Sequence, residues 1–289
     1  MQIKMPVGNK PGRHFDKRSR MSNKVRILII VVALAGMITA AVMVVTTYIE
    51  YRKAEEEYSQ LESFVGTAEG QTDGVSDQST EPEEETREFK RNYNRNDFPD
   101  MEIDYDGLYK KNRDYIGWLY VSSVNISYPV VQGTDNEYYL HNTFEHKPNF
   151  AGCIFIDCQD KADLTMFNTF VYGHAMKNGT MFGNLRKLRR DPSLVKNDPY
   201  IYMFMRDGIY RYQIYSYYID EKESVMYHSA QNLKEYRQYF REAMDRSMAD
   251  CEAKPNEENN SITLVTCSGT GAQKQRFFVH GIFVDRYLY

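Results

Sequence analysis

The usual ligand patterns for a metal are missing from this 289-residue chain. Neither HExxH nor CxxC occurs, and the four cysteines (Cys153, Cys158, Cys251 and Cys267) have no metal-site spacing. A disulfide framework has little support either. Cys153 and Cys158 lie five apart in what reads as one strand, so their side chains point to opposite faces and cannot easily bridge each other. No internal repeat is present. The excess positive charge of a nucleic-acid-binding domain is also missing, because residues 98–289 carry 22 bases and 25 acids.

Charge gathers at the N-terminal end instead. Residues 1–26 hold eight Lys/Arg against one acid, Asp16, and the next 23 positions, 27–49 ("ILIIVVALAGMITAAVMVVTTYI"), hold no charge. As a helix this run is about 35 Å long, enough to cross a hydrocarbon core of about 30 Å. A cleaved signal peptide fits less well, since its apolar part is usually about 7–15 residues with a small-residue cleavage site. The expectation is a single-pass anchor with residues 1–26 as a cytoplasmic basic tail and everything after Glu50 outside the cell.

Residues 50–97 contain 14 acids and 6 bases. They read as an acidic, solvated stalk, too poor in apolar surface to offset its ordering entropy. Residues 50–64 extend the anchor helix a few turns before fraying. A fragment starting near residue 95 is therefore expected to fold and work without them.

From Phe98 the texture changes. "NISYPVV", "GCIFID", "NTFVYGH", "YIYMFM", "YRYQIYSYYI", "SITLVTC" and "FFVHGIFV" are short β-branched and aromatic runs between Gly, Asn, Asp or Pro clusters. They predict a mainly antiparallel β domain, a barrel or sandwich of about 190 residues. Helical spacing places Leu233, Tyr236, Phe240 and Met244 on one face of "AQNLKEYRQYFREAMDRS". "GTMFGNLRKLRR" reads as a shorter helix, and "YDGLYKKNRDYIGWL" can open the domain with another.

The candidate chemistry starts with Cys267, which closes the apolar run "SITLVTC" and faces a loop of small and polar residues. A nucleophilic cysteine needs thiolate character at an accessible strand end, with His or Arg nearby to lower its pKa. A strand returning from Phe277 would bring Arg276 close, and a fixed guanidinium can hold an oxyanion. His174 ends another apolar strand in "NTFVYGH", where a general acid or base can meet substrate. His280, inside "FFVHGIFV", reads as a packed strand residue. Spacing alone leaves a buried Cys267 and a surface His174 as an open alternative.

"TLVTC" with a downstream Arg, and "YGH" upstream, resemble the active-site blocks of sortases, the cysteine transpeptidases of the Gram-positive surface. "IGWLYVSSVNISYPVVQGTDNEYYL", "GCIFID" and "NTFVYGHAMKNGTMFGNL" are similar to class B blocks, in the same order, over roughly residues 105–289. The resemblance implies an eight-stranded β-barrel with peripheral helices after one transmembrane helix, and a catalytic domain over 98–289. It implies no cofactor and no metal. Cys267 would attack a threonine carbonyl in a C-terminal sorting motif, giving a thioester; His174 would move the protons and Arg276 would hold the oxyanion.

Substrate contacts would fall on Asn136, Leu140 and Tyr172, with Thr266 lining the pocket beside the nucleophile. The implied partners are surface proteins bearing a sorting motif, a peptidoglycan precursor amine as acceptor, and the membrane through residues 27–49. Two departures touch the groove: Val265 stands where class B often has serine, and Ser268 and Gly269 stand where acids often follow. A pilin-polymerising sortase, a catalytically silent peptide-binding module and a papain-like peptidase are the rivals. The last usually places its cysteine at a helix start. The ending "RYLY" is no sorting signal, so the chain is not expected to be a wall-anchored substrate itself.

Overall fold

The computed structural model describes residues 22–67, 91–266 and 275–289. The chain divides into two units, 1–49 and 50–289. Helix α1 (Asn23–Leu61) contains the whole uncharged run, and its apolar side chains up to Ile49 are exposed. By length and composition this helix can cross a membrane.

The second unit begins with the end of α1 and continues through a two-residue ribbon, β1 (Val65–Gly66) with β2 (Glu102–Ile103). Helix α2 (Tyr105–Lys111) starts at Asp104, whose side chain accepts the Gly107 N–H, and leads into the barrel. The barrel strands are β3 (Tyr115–Val121), β4 (Ile126–Val131), β5 (Ile154–Ile156), β6 (Asn168–Gly173), β7 (Tyr200–Phe204), β8 (Gly208–Glu221), β9 (Ser261–Thr266) and β10 (Gln275–Leu288). They close in the order β10-β8-β7-β3-β4-β5-β6-β9. Only β4–β5 and β6–β9 pair in parallel. Short helices α3 (Tyr138–His141), α4 (Arg186–Arg190) and α5 (Ser193–Asn197) decorate the connections.

Strand β9 is buried on both faces, so "ITLVT" reads as a continuous apolar run rather than an alternating one. Ile262 and Leu264 join the main core with Trp118, Val130, Ile154 and Val279. Val265 points the other way, into a second cluster made with helix α6 (Leu233–Asp245). Asn232 caps α6 by accepting the Glu235 N–H, while Glu235 reaches back to the Gln231 N–H. The buried face is Tyr236, Tyr239, Phe240 and Ala243, and each large side chain so covered is worth roughly 1.5–3 kcal/mol. Leu233, expected on this face, is 45% exposed. It occupies the first helical position, where the stripe set by Tyr236 and Tyr239 has not yet turned inward.

The expected solvated stalk needs correcting at both ends. Ala54, Glu57, Tyr58 and Leu61 of α1 are buried within the second unit. At the other end, Asn92 N–H donates to the Arg286 carbonyl and the Asp97 carbonyl accepts from Arg211 at 2.9 Å. The many acids mask a narrow stripe at spacings of three and four, which is enough for one helix face to pack. Residues 68–90 of the stalk lie outside the described residues.

Candidate active site

Three strand ends meet at one rim of the barrel. Strands β6 and β9 run in parallel with Tyr172 opposite Val265 and Gly173 opposite Thr266. Strand β10 returns antiparallel, pairing Phe278 with Val265, and the Phe277 N–H donates to the Thr266 hydroxyl at 2.9 Å. Cys267 and the loop to residue 274 lie outside the described residues. Thr266 is buried, and its hydroxyl accepts this backbone bond and so ties β9 to β10.

His174 directly follows β6 and is half-buried. Its Nε2 lies 2.8 Å from the Leu140 carbonyl. A carbonyl can only accept, so Nε2 carries the proton, and Nδ1 is the nitrogen that can exchange one. Burial pushes the His174 pKa below the ordinary range. The hydrogen bond to Leu140 opposes that, while electrostatic interaction with His141 and with the Arg276 guanidinium reinforces it.

The backbone before His174 permits no side chain, since a Cβ at Gly173 would sit 2.4 Å from Ile154 Cδ1 and 2.8 Å from the Phe182 ring. The His174 carbonyl accepts the Phe182 N–H at 2.9 Å, which closes the following loop. Arg276 stands half-buried near the start of β10, opposite Asp220 of β8, and its Nη1 donates to the Gln275 carbonyl at 3.0 Å.

The residues expected to contact substrate have defined neighbours. Asn136 Oδ1 accepts the Cys158 N–H at 2.8 Å, pinning the loop before α3 to the one after β5. Leu140 packs partly against the main core, and its carbonyl meets His174. The Tyr172 hydroxyl donates to Asp157 at 3.0 Å, and its ring lies near Phe155 and stacks on Tyr227. The role of the Leu140 carbonyl, Asp157 and Tyr227 carries no sequence signal of its own.

The three described cysteines are free thiols. Burial pushes all three above the ordinary thiol range, Cys153 to about 12. Among the described residues no His, Cys, Asp or Glu cluster could hold a metal.

A closed barrel with a histidine and an arginine at one rim, beside a cysteine-bearing connection, is the frame of a cysteine transpeptidase. Comparison with known proteins sharpens this. A family model described as a sortase domain matches residues 119–284. Sortase B of Listeria monocytogenes is 30% identical over 183 residues, which is 62% of this chain and 73% of that protein. The crystal structure of Clostridium perfringens sortase B is 28% identical with a TM-score of 0.58, covering 62% of this chain and 99% of that one. A Staphylococcus aureus sortase B–substrate complex is 26% identical with a TM-score of 0.59, covering 63% and 84%. The chain belongs to the sortase family, in its class B, and is a sortase-type cysteine transpeptidase.

Proposed function

We propose that this enzyme cleaves a C-terminal sorting motif after threonine through a thioester on Cys267 and passes the acyl group to a peptidoglycan precursor amine. The observation that supports this most is the parallel pairing of Gly173 with Thr266. His174 follows Gly173 and Cys267 follows Thr266 in sequence, so the two strands that pair here are the ones leading to the acid–base residue and the nucleophile. Burial raises the pKa values of Cys153, Cys158 and Cys251, which disfavours their thiolates as rivals to Cys267.

In this reading the Cys267 thiol gives its proton to His174 Nδ1 as its sulfur bonds to the threonine carbonyl carbon. The carbonyl oxygen takes up negative charge facing the Arg276 guanidinium. The scissile C–N bond then breaks as protonated His174 gives its Nδ1 proton to the leaving amine. An incoming amine attacks the thioester, His174 takes its proton, and the thiolate is released. Asn136, Leu140, Tyr172 and Thr266 shape the groove, Thr266 through its grip on Phe277. Residues 27–49 anchor the chain in the cell membrane, with residues 1–26 cytoplasmic, residues 68–90 a spacer and the barrel outside.

The test is thioester trapping with labelled peptides ending in candidate sorting motifs. The label should appear on Cys267, hydroxylamine should release it, and Cys267→Ala should abolish cleavage and transfer alike. Appreciable turnover by that variant ends the reading. Peptide binding without trapping would point to a silent binding module.

A further inference from the structure

The segment that holds His174 is itself held from outside the barrel. Tyr139, Leu140 and His141 lie in α3, and the chain then folds back so that the Asn149 N–H donates to the His141 carbonyl and the Cys153 N–H to the Tyr139 carbonyl. Gly152 closes this loop at φ +59°, a left-handed conformation that glycine adopts without strain. A Cβ on Gly152 would lie 2.5 Å from the Tyr139 carbonyl oxygen, 2.9 Å from the Leu140 carbonyl oxygen and 3.1 Å from His174 Cδ2. Gly152 thus packs against both the imidazole and the carbonyl that orients it.

The turns of α1 from Glu50 to Leu61 grip this loop along its length. The buried Tyr58 hydroxyl donates to the Gly152 carbonyl at 2.6 Å. Glu57 accepts the Glu145 N–H at 2.9 Å and pairs with Lys147 at 3.5 Å. Asn149 donates to the Glu50 carbonyl at 3.0 Å, and Tyr51 meets Phe150 edge-on at 4.9 Å. Simple attachment of a helix to a barrel needs only apolar contact. Here polar groups of the helix engage backbone atoms of one loop, the loop carrying the partner of His174.

We infer that the stretch Glu50–Leu61 is a clamp that sets the position of His174 through the Tyr138–Gly152 loop, with Tyr58 as its principal positioning residue. The inference depends on His174 being the proton carrier of the proposed reaction. Tyr58 touches no reacting atom and acts only through Gly152 and the Leu140 carbonyl.

The experiment uses the full-length chain in lipid nanodiscs, with Tyr58→Phe, Glu57→Ala and Glu57→Gln. His174 is titrated by imidazole NMR, and Cys267 is alkylated with iodoacetamide across pH. His141 and Arg276, the ionisable groups that bear on the ring, stay in place in all three. In Tyr58→Phe the His174 pKa should rise toward the ordinary histidine value as the ring loosens into water. The pH profile of alkylation should move with it, and turnover of whichever peptide is trapped should fall about 10-fold in kcat with little change in KM. Glu57→Ala should move the same readings in the same direction, and Glu57→Gln, which keeps an acceptor for the Glu145 N–H, should restore them. A lower melting temperature with an unmoved His174 titration would reduce the clamp to simple packing and overturn the inference. Full turnover by His174→Ala would instead overturn the catalytic reading beneath it.

Discussion

Two histidines of the barrel, His174 and His280, share a depressed pKa for the same leading reason, burial, yet one ends a strand and the other fills a strand interior. His280 sits in the middle of β10 between Thr263 of β9 and Ser216 of β8, with no exposed surface. Its Nδ1 lies 3.0 Å from the Thr263 hydroxyl and its Nε2 3.0 Å from the Tyr218 hydroxyl. Tyr239 of α6 lies 3.4 Å away and the Tyr218 ring stacks on it. Burial pushes its pKa down to about 3, so it stays neutral across the physiological range. His174 stands at a strand end, half-buried, with one nitrogen fixed by a carbonyl. A strand interior locks a histidine into structure, while a strand end is where the proposed proton transfer would take place.

The sharpest way to break this comparison is to remove each ring in turn. His174→Ala should lose at least about 10²-fold in turnover, the lower scale of general acid–base catalysis, with little change in thermal stability. Arg276→Ala, at the same rim, should lose about 10²–10³-fold. His280→Ala should do the reverse. It leaves Thr263 and Tyr218 without their buried partner and opens a cavity, costing a few kcal/mol, while the folded fraction keeps near-normal turnover. Turnover normalised by thiol titration, alongside thermal melts, checks all three. Equal activity losses for both histidines would erase the distinction.

A smaller effect follows from pH. A histidine with folded pKa about 3 and an ordinary unfolded value stabilises the fold fully above about pH 6.5. That stability is lost as pH falls, because the unfolded chain then binds the extra proton. The loss should approach about 1.4 kcal/mol per pH unit below the unfolded pKa. Asp160 works against it, since burial raises its carboxyl to about 6 and its contribution grows as pH falls from there. Chemical denaturation of wild type and His280→Gln from pH 7 to 4 isolates the histidine. The variant should be less stable at pH 7 yet show a flatter acid slope, and parallel slopes would contradict the assignment.

The smallest expected change concerns specificity. Residues 221–230 place Tyr227 on the Tyr172 ring and Ser229 on Asp160, beside the His174 rim but not part of it. Exchanging them for the same segment of another class B enzyme should shift peptide preference while leaving both histidine titrations unchanged. A well-folded chimera with unaltered preference would remove this segment and leave Asn136, Leu140 and Val265 as the determinants to test.

Most of the barrel was legible because burial on two faces writes strands as short β-branched and aromatic runs. Seven of the eight strands were read from such runs. The eighth, Tyr115–Val121, was hidden at the end of a segment with helical spacing, so the count came only from family resemblance. His280 as a packed residue was legible from its apolar neighbours on both sides. The misplaced Leu233 and the overlooked Tyr239 differ by where a helix face begins, which depends on what it packs against.

Sequence alone determined the apolar run at 27–49, the strand-ending motifs that mark Cys267 and His174, and the class B order of blocks. Composition, local period and motif are properties of neighbours along the chain, and they survive without knowing the fold. Only the tertiary structure decided that the Leu140 carbonyl meets His174, that the Thr266 hydroxyl accepts the Phe277 N–H, and that the end of α1 from Glu50 to Leu61 packs within the second unit rather than in a solvated stalk. Backbone carbonyls leave no trace in residue identity, and Tyr58 meets Gly152 across more than ninety positions of sequence. Such contacts exist only once the strands have closed.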